Sequence, residues 1–173
     1  MTKPAARIGV IGDVHAEHER LALALDHLSQ LHMDTIICTG DIVDGVGLPN
    51  DCIDLLKAYG VVTVKGNHDR WILQGKARHV PDAHVLEQLT PASRLFLTEL
   101  PTQVEVPTTA GKLLLCHGVG DDDLKKVWPG TERMALERSR ALDEIIRDGE
   151  FEYLVNGHMH FRTMIHFSDL TLI

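Results

Sequence analysis

Basic residues are in short supply. Lys and Arg number 17 against 25 Asp and Glu, giving a formal net charge of -8. That balance argues against broad electrostatic binding to long nucleic acid or to an anionic membrane. It leaves room for an anionic substrate, because a bound cation can invert the local field. Cysteine is scarce as well. Cys38, Cys52 and Cys116 form an odd, widely spaced set with no C-x-x-C pair. Cys38 and Cys116 sit inside apolar runs and read as buried small hydrophobes, which suits a reduced, cytoplasmic setting. No stretch approaches the roughly 18 consecutive apolar residues of a membrane span. The start, M-T-K-P-A-A-R, leads straight into a short apolar run without a signal-length apolar region. Internal repeats, low-complexity tracts and Gly/Ser linkers are missing. Tyr and Trp number two each, whereas His numbers 11, so the placement of the histidines matters.

What is present suits one domain over residues 1–173: 44% hydrophobic and 24% charged residues on a chain long enough to bury its own core. Arg7 to Ile11, Thr35 to Cys38 and Val61 to Val64 read as buried strands. Between them, Glu17 to Leu31 carries Leu21, Leu25, Leu28 and Leu31 at helical spacing. A second helix, expected to be capped by Asn50, carries Ile53, Leu56 and Tyr59 and stops at Gly60. This β-α-β-α-β order implies a parallel sheet with helices on it.

Further on, Thr90-Pro91 starts a helix expected to run to about Leu100. Gln103 to Val106 and Lys112 to Cys116 flank a turn. Thr131 to Arg147, with Ala135, Leu142, Ile145 and Ile146 on one face, reads as the last helix, ended by Gly149. Tyr153 to Val155, Thr163 to Phe167 and Leu170 to Ile173 read as strands, with a tight turn at Ser168-Asp169. Ile173 falls inside an apolar run, so the chain is expected to be either trimmed or unusually short at this end.

The residues that follow the strands carry the chemistry. G-D-V-H follows Ile11, T-G-D follows Cys38, K-G-N-H-D follows Val64, H-G follows Cys116, and N-G-H-M-H follows Val155. These strand ends deliver Asp13, His15, Asp41, Asn67, His68, His117, His158 and His160. In α/β sheets, ligands gather at the carboxyl ends of strands. Asp13 and His15 are two apart, as are His158 and His160, and in extended chain residues i and i+2 point the same way. Each pair is therefore expected to offer two ligand atoms to one point. Mixed nitrogen and oxygen ligands suit first-row divalent metals such as Mn, Fe, Zn or Ni. There are too many ligands for one tetrahedral ion. Two ions about 3.5–4 Å apart, sharing one carboxylate, fit better. Asp41 is the natural bridge, because it has no partner ligand at i+2.

Taken together and in this order, G-D-V-H, G-D-I-V-D, G-N-H-D, C-H-G and G-H-M-H resemble the calcineurin-like metallophosphoesterase superfamily, in its small prokaryotic phosphodiesterase branch. The resemblance runs from Ile8 to His160. It implies a four-layer α/β/β/α sandwich of two mixed sheets flanked by helices. It also implies one metal held by Asp13, His15, His160 and Asp41, and a second held by Asn67, His117, His158 and Asp41. Mn is the first expectation, with Fe, Zn, Ni or Mg as alternatives. His68 is expected beside the scissile phosphate as general acid, with Asp69 orienting it. Direct attack by a metal-bridging hydroxide on a phosphodiester or small phosphate ester is the implied reaction.

Two other readings stay open. One is a hydrolase of nucleotides or dinucleoside polyphosphates on the same site, drawing on Arg70, Arg162, Trp71 or Trp128. The other is a non-catalytic scaffold of this fold, as in the retromer subunit that resembles the family. Assembly into a homo-oligomer is open too. Asp44 reads equally as a carboxylate holding a ligand or as a loop cap, and Arg162 as a phosphate contact or a solvent-facing residue. Trp71 reads as a core residue at the start of a short helix, with lining of the cleft as the alternative. Asp121-Asp122-Asp123 reads as a solvated loop near the cleft, followed by a turn at Trp128-Pro129-Gly130. His18, His27, His32, His79, His84 and His166 match no motif and read as ordinary surface or partly buried residues.

Overall fold

A computed structural model describes residues 3–127 and 139–173. Three short strands, β1 (Ile8–Ile11), β2 (Thr35–Cys38) and β3 (Val62–Thr63), form a parallel sheet in the order β1-β2-β3. Helices α1 (His18–Gln30) and α2 (Pro49–Ala58) make the crossovers. Helices α3 (Asn67–Gln74) and α4 (Pro91–Glu99) follow, separated by a 3-10 turn at Leu86–Gln88. The second sheet is mixed. Strands β4 (Gln103–Thr108), β5 (Gly111–Cys116), β6 (Tyr153–Val155), β7 (Ile165–Phe167) and β8 (Leu170–Leu172) lie in the order β4-β5-β6-β8-β7. Helix α5 (Arg140–Asp148) precedes β6.

Side-chain alternation along the strands creates the layers. In β5, Leu113 and Leu115 face a cluster with Ile37, Val64, Val106 and Val155, which fills the space between the sheets. Leu114 and Cys116, one residue out of phase, face a second cluster with Leu142, Leu154, Phe167 and Leu172 beneath α5. On the far side, Cys38, Leu21, Leu25, Ile53, Leu56, Ile72 and Leu97 join the first sheet to helices α1 to α4. The stack is therefore helix, sheet, sheet, helix, the expected four-layer sandwich. Leu115 is wholly buried at the sheet–sheet interface, and truncating such a leucine to Ala costs about 2–5 kcal/mol.

One local expectation changes. Asn50 lies inside α2 rather than capping it, because Pro49 takes the first helical position. The Asn50 side chain instead bridges the Gln88 carbonyl (2.8 Å) and the Thr90 N–H (3.0 Å). The last helix is described from Arg140, where the Ser139 hydroxyl accepts the Leu142 N–H at 3.3 Å. The expected start at Thr131, with Ala135, lies outside the described residues, as does the Trp128-Pro129-Gly130 turn. The final strands form the expected hairpin, with Ser168 at φ 45° in its turn. Ile173 donates its N–H to Leu154 (2.9 Å) and accepts from Asn156 (3.0 Å), extending the parallel ladder beside β6. No described helix is long and apolar enough to cross a membrane.

Candidate metal centre

The carboxyl ends of β1, β2, β3, β5 and β6 converge from both sheets. Backbone and side-chain bonds lock the loops together there. His117 Nδ1 donates to the Thr39 carbonyl at 2.8 Å, the Gly157 N–H donates to the His117 carbonyl at 2.9 Å, and the His158 N–H donates to Asp13 Oδ2 at 3.0 Å. The crossing is tight. A Cβ on Gly157 would stand 2.3 Å from Asp13 Oδ1, and one on Gly66 would stand 2.1 Å from Asp41 Oδ1. Only glycine lets these turns touch the carboxylates.

Two groups of ligand-type atoms form at this junction, each within a 4.8 Å span: His15, Asp41 and His160, and Asp41, His117 and His158. Asp41 belongs to both and is 1% exposed. Its Oδ2 lies 3.2 Å from His117 Nε2 and 3.9 Å from His15 Nε2. Asp13 stands beside the first group, with Oδ2 3.0 Å from His160 Nε2. Asn67 stands beside the second, with Oδ1 2.9 Å from His117 Nε2. All seven expected ligands are thus brought together.

The donor chemistry fits a divalent cation. Imidazole nitrogens from distant loops aim at one another and at carboxylates: His15 Nε2 and His160 Nε2 are 3.0 Å apart. His15 and His117 each turn Nδ1 to a backbone carbonyl, Asp44 O at 2.9 Å and Thr39 O at 2.8 Å. That leaves Nε2 as the ligand nitrogen.

His117 is drawn toward its charged form. Burial disfavours its charged form, but its bond to Asp41 and the charges of Asp41 and Asp13 outweigh this and raise its pKa to about 9. For Asp41, burial acts upward, and His117 with the nearby His68 pulls the pKa below the usual carboxylate range. Burial, helped by the His117 charge, lowers the pKa of His158 and favours its neutral form.

The i, i+2 argument fails for one pair. His158 and His160 enter different groups rather than one point. Their loop is not extended: His158 (φ 66°) and His160 (φ 48°) are left-handed, as are His15 (φ 45°) and Asp41 (φ 47°). Non-glycine residues in this region are strained, and such strain gathers at functional sites.

The expected partnership of His68 with Asp69 also fails. Asp69 is wholly buried and spends its carboxylate on backbone N–H groups: Oδ1 accepts from Ile42 (2.9 Å) and Val43 (3.2 Å), and Oδ2 from Gly66 (3.0 Å). It caps α3 and ties it to the Asp41 turn. Burial and the neighbouring Asp41 charge push its pKa up to about 7 against those bonds. The carboxylate on His68 is Asp44, with Oδ2 2.8 Å from Nδ1. The His68 ring lies 5.0 Å from the His15 ring and 4.8 Å from that of Trp71, centroid to centroid. Trp71 therefore packs on His68 rather than in the core.

Arg78 and His84, which no motif marks, also belong to this neighbourhood, since both bond Asp44. Arg70 is clasped by Asp123 through Nε (2.6 Å) and Nη2 (2.8 Å), so one residue of the Asp121–Asp123 loop is an ion-pair partner, not simply solvated. Arg162 is exposed.

A cavity of about 420 Å³ opens beside Asp13, His15 and His160, bordered by Met159, Phe161 and Thr163. The groups grade from the closed base at Asp41 to an open rim at His160, whose side chain is 58% exposed.

The chain is thus a two-sheet α/β sandwich in which two histidine-rich groups share one carboxylate. Residues 6–162 match the calcineurin-like phosphoesterase model, and the chain belongs to that family. It is 36% identical over 66 residues to an uncharacterized protein of Methanocaldococcus jannaschii; that match covers 38% of this chain and 27% of the relative. Its fold is similar to a hypothetical protein from Pyrococcus horikoshii OT3, with TM-score 0.75 and 14% identity, covering 98% of this chain and 75% of that one. It is also similar to a metallophosphoesterase from Sphaerobacter thermophilus, with TM-score 0.65 and 22% identity, covering 93% and 63%.

Proposed function

We propose that this protein hydrolyses phosphodiesters or small phosphate esters with the help of two divalent ions, Mn²⁺ first among them. The observation that carries the reading is the buried Asp41 carboxylate shared by both ligand groups. Asp13, His15, His160 and Asp41 would hold one ion; Asn67, His117, His158 and Asp41 would hold the other. Bound there, such ions supply a water acidified toward neutral pH and neutralise charge on the phosphoryl oxygens.

The remaining chemistry belongs to the chain. His68 gives a proton to the leaving oxygen as general acid. Asp44 accepts from Nδ1, so Nε2 is the nitrogen that faces the reaction. In the metal-free protein, burial lowers the His68 pKa, but the bond to Asp44 and the Asp41, Asp44 and Asp69 charges outweigh it and leave it raised. Asp69 does not touch the proton; it holds the turn that presents Asn67 and His68. The clasp on Arg70 removes one candidate cation for polyphosphate substrates, which favours small esters. The buried cysteines support a reducing, cytoplasmic setting.

The test is hydrolysis of bis(p-nitrophenyl) phosphate by protein stripped with EDTA and reconstituted with Mn²⁺. Activity that returns with metal supports the reading. Persistent inactivity with metal bound at both groups points to a scaffold.

A further inference from the structure

Asp44 is 3% exposed, yet its carboxylate is fully engaged. Oδ1 accepts from Arg78 Nη1 at 2.8 Å and from the His84 N–H at 2.9 Å. Oδ2 accepts from Arg78 Nη2 at 2.8 Å and lies 2.8 Å from His68 Nδ1. Arg78 is itself held, with Nη1 also donating to the His84 carbonyl (2.6 Å) and Nε to the Lys76 carbonyl (2.7 Å).

The loop between α3 and the 3-10 turn carries Arg78 and is tied to the Asp44 turn. The Gly45 N–H donates to the Asp82 carbonyl at 3.0 Å, and the Asp44 N–H to His84 Nδ1 at 3.1 Å. Two residues of that loop, Ala77 (φ 50°) and Asp82 (φ 53°), adopt left-handed backbone.

A buried carboxylate without a cation either takes up a proton or leaves its neighbour's tautomer open. The planar fork of Arg78 covers both oxygens of Asp44 and keeps it an acceptor. An acceptor-only carboxylate requires that Nδ1 of His68 carry the proton between them. The other nitrogen, Nε2, is then the one that handles the reacting proton. A lysine offers a point charge and cannot hold both oxygens in the same plane.

We propose that Arg78 is a positioning residue for His68, acting through Asp44 to fix the orientation and tautomer of the imidazole. The inference rests on the phosphoesterase reading in which His68 protonates the leaving group. A purely structural Arg78 would staple the loop and affect all substrates alike.

The experiment compares wild type, Arg78→Lys, Arg78→Ala, His68→Ala and His68→Ala/Arg78→Lys, all reconstituted with Mn²⁺. Each is assayed on diesters with a p-nitrophenol leaving group and with a poor alkanol leaving group. Arg78→Lys should keep metal content and KM. It should lose about 10–100-fold in kcat on the poor leaving group and clearly less on p-nitrophenol. In the His68→Ala background the same change should cost nothing more. Guanidinium ion, but not equal potassium chloride, should restore part of the activity of Arg78→Ala.

Equal losses on both leaving groups, or an undiminished loss in the His68→Ala background, would overturn the positioning role. Where Arg78→Ala does not fold, Arg78→Lys and the double variant decide alone. Full activity of His68→Ala on the poor leaving group would instead remove the general acid itself, a separate failure seen without any change at Arg78.

Discussion

His15 Nε2 and His160 Nε2 stand 3.0 Å apart, although 145 residues separate them in the chain. Two imidazole nitrogens held this close and turned toward each other waste their lone pairs unless a proton or a cation lies between them. Asp13 and Asp41 beside them supply the negative charge a cation needs.

The shared carboxylate gives the sharpest prediction. Asp41→Ala removes a ligand from both groups, so metal content should fall at both positions and activity with it. Elemental analysis after gel filtration checks this. Two fully occupied sites in the variant would refute the bridge.

The His68 backbone N–H donates to Asp41 Oδ1 at 2.8 Å, but its side chain bonds Asp44, so the imidazole should be separable from metal binding. His68→Ala should retain both ions and lose roughly 10²–10⁴-fold in kcat, most strongly on poor leaving groups. Rates on p-nitrophenyl and alkyl esters, measured beside metal content, distinguish this from loss of metal.

Metal affinity should depend on pH through His117. Its pKa in the metal-free protein is raised to about 9, so near pH 7.5 the imidazole is protonated and an incoming ion must expel that proton. Affinity for Mn²⁺ should therefore rise with pH from 6.5 toward 9. Calorimetry at pH 7.5 in buffers of different ionisation enthalpy should show proton release. A flat affinity across that range without proton release contradicts the assignment.

Gly66 is a packing prediction. A methyl there would meet Asp41 Oδ1 at 2.1 Å and Asp41 N at 2.3 Å, and the backbone nitrogen cannot swing away. Gly66→Ala should cost about 1–3 kcal/mol. For a chain of this size that lowers Tm by about 2–12 °C. Thermal denaturation measures it, and an unchanged Tm with full metal occupancy would show that the turn yields.

The cysteines supply a last check. Burial pushes the thiols of Cys38 and Cys116 up to about 12, so native protein should leave both unmodified by a disulfide reagent at pH 8. Both should react after denaturation.

Much of this molecule is legible one residue at a time. Apolar runs of strand length, helical spacing at Leu21 and Leu25, and polar clusters after each run mark the elements and the end at which ligands collect. They mark these features because periodicity and strand direction are local properties. The eight strand-end residues follow from the same local reading, as does the candidacy of Asp41 as the bridge, whereas setting His68 apart from the ligands is what the family resemblance implies.

Partner choice is different. Asp69 follows His68 directly, yet it turns to the N–H groups of Gly66, Ile42 and Val43. A carboxylate at the third position of α3 is best placed to cap it. His68 is left to Asp44, and Asp44 draws in Arg78 from 34 residues away. His158 and His160 separate into two groups, a division that the i, i+2 spacing does not give and the family resemblance does, because left-handed backbone turns the loop between them. The sequence by itself determined which strand-end residues reach the site and which strands carry them there. Only the tertiary structure decided which of them touch, because burying a charged group obliges it to take whatever donors the loop paths bring within reach.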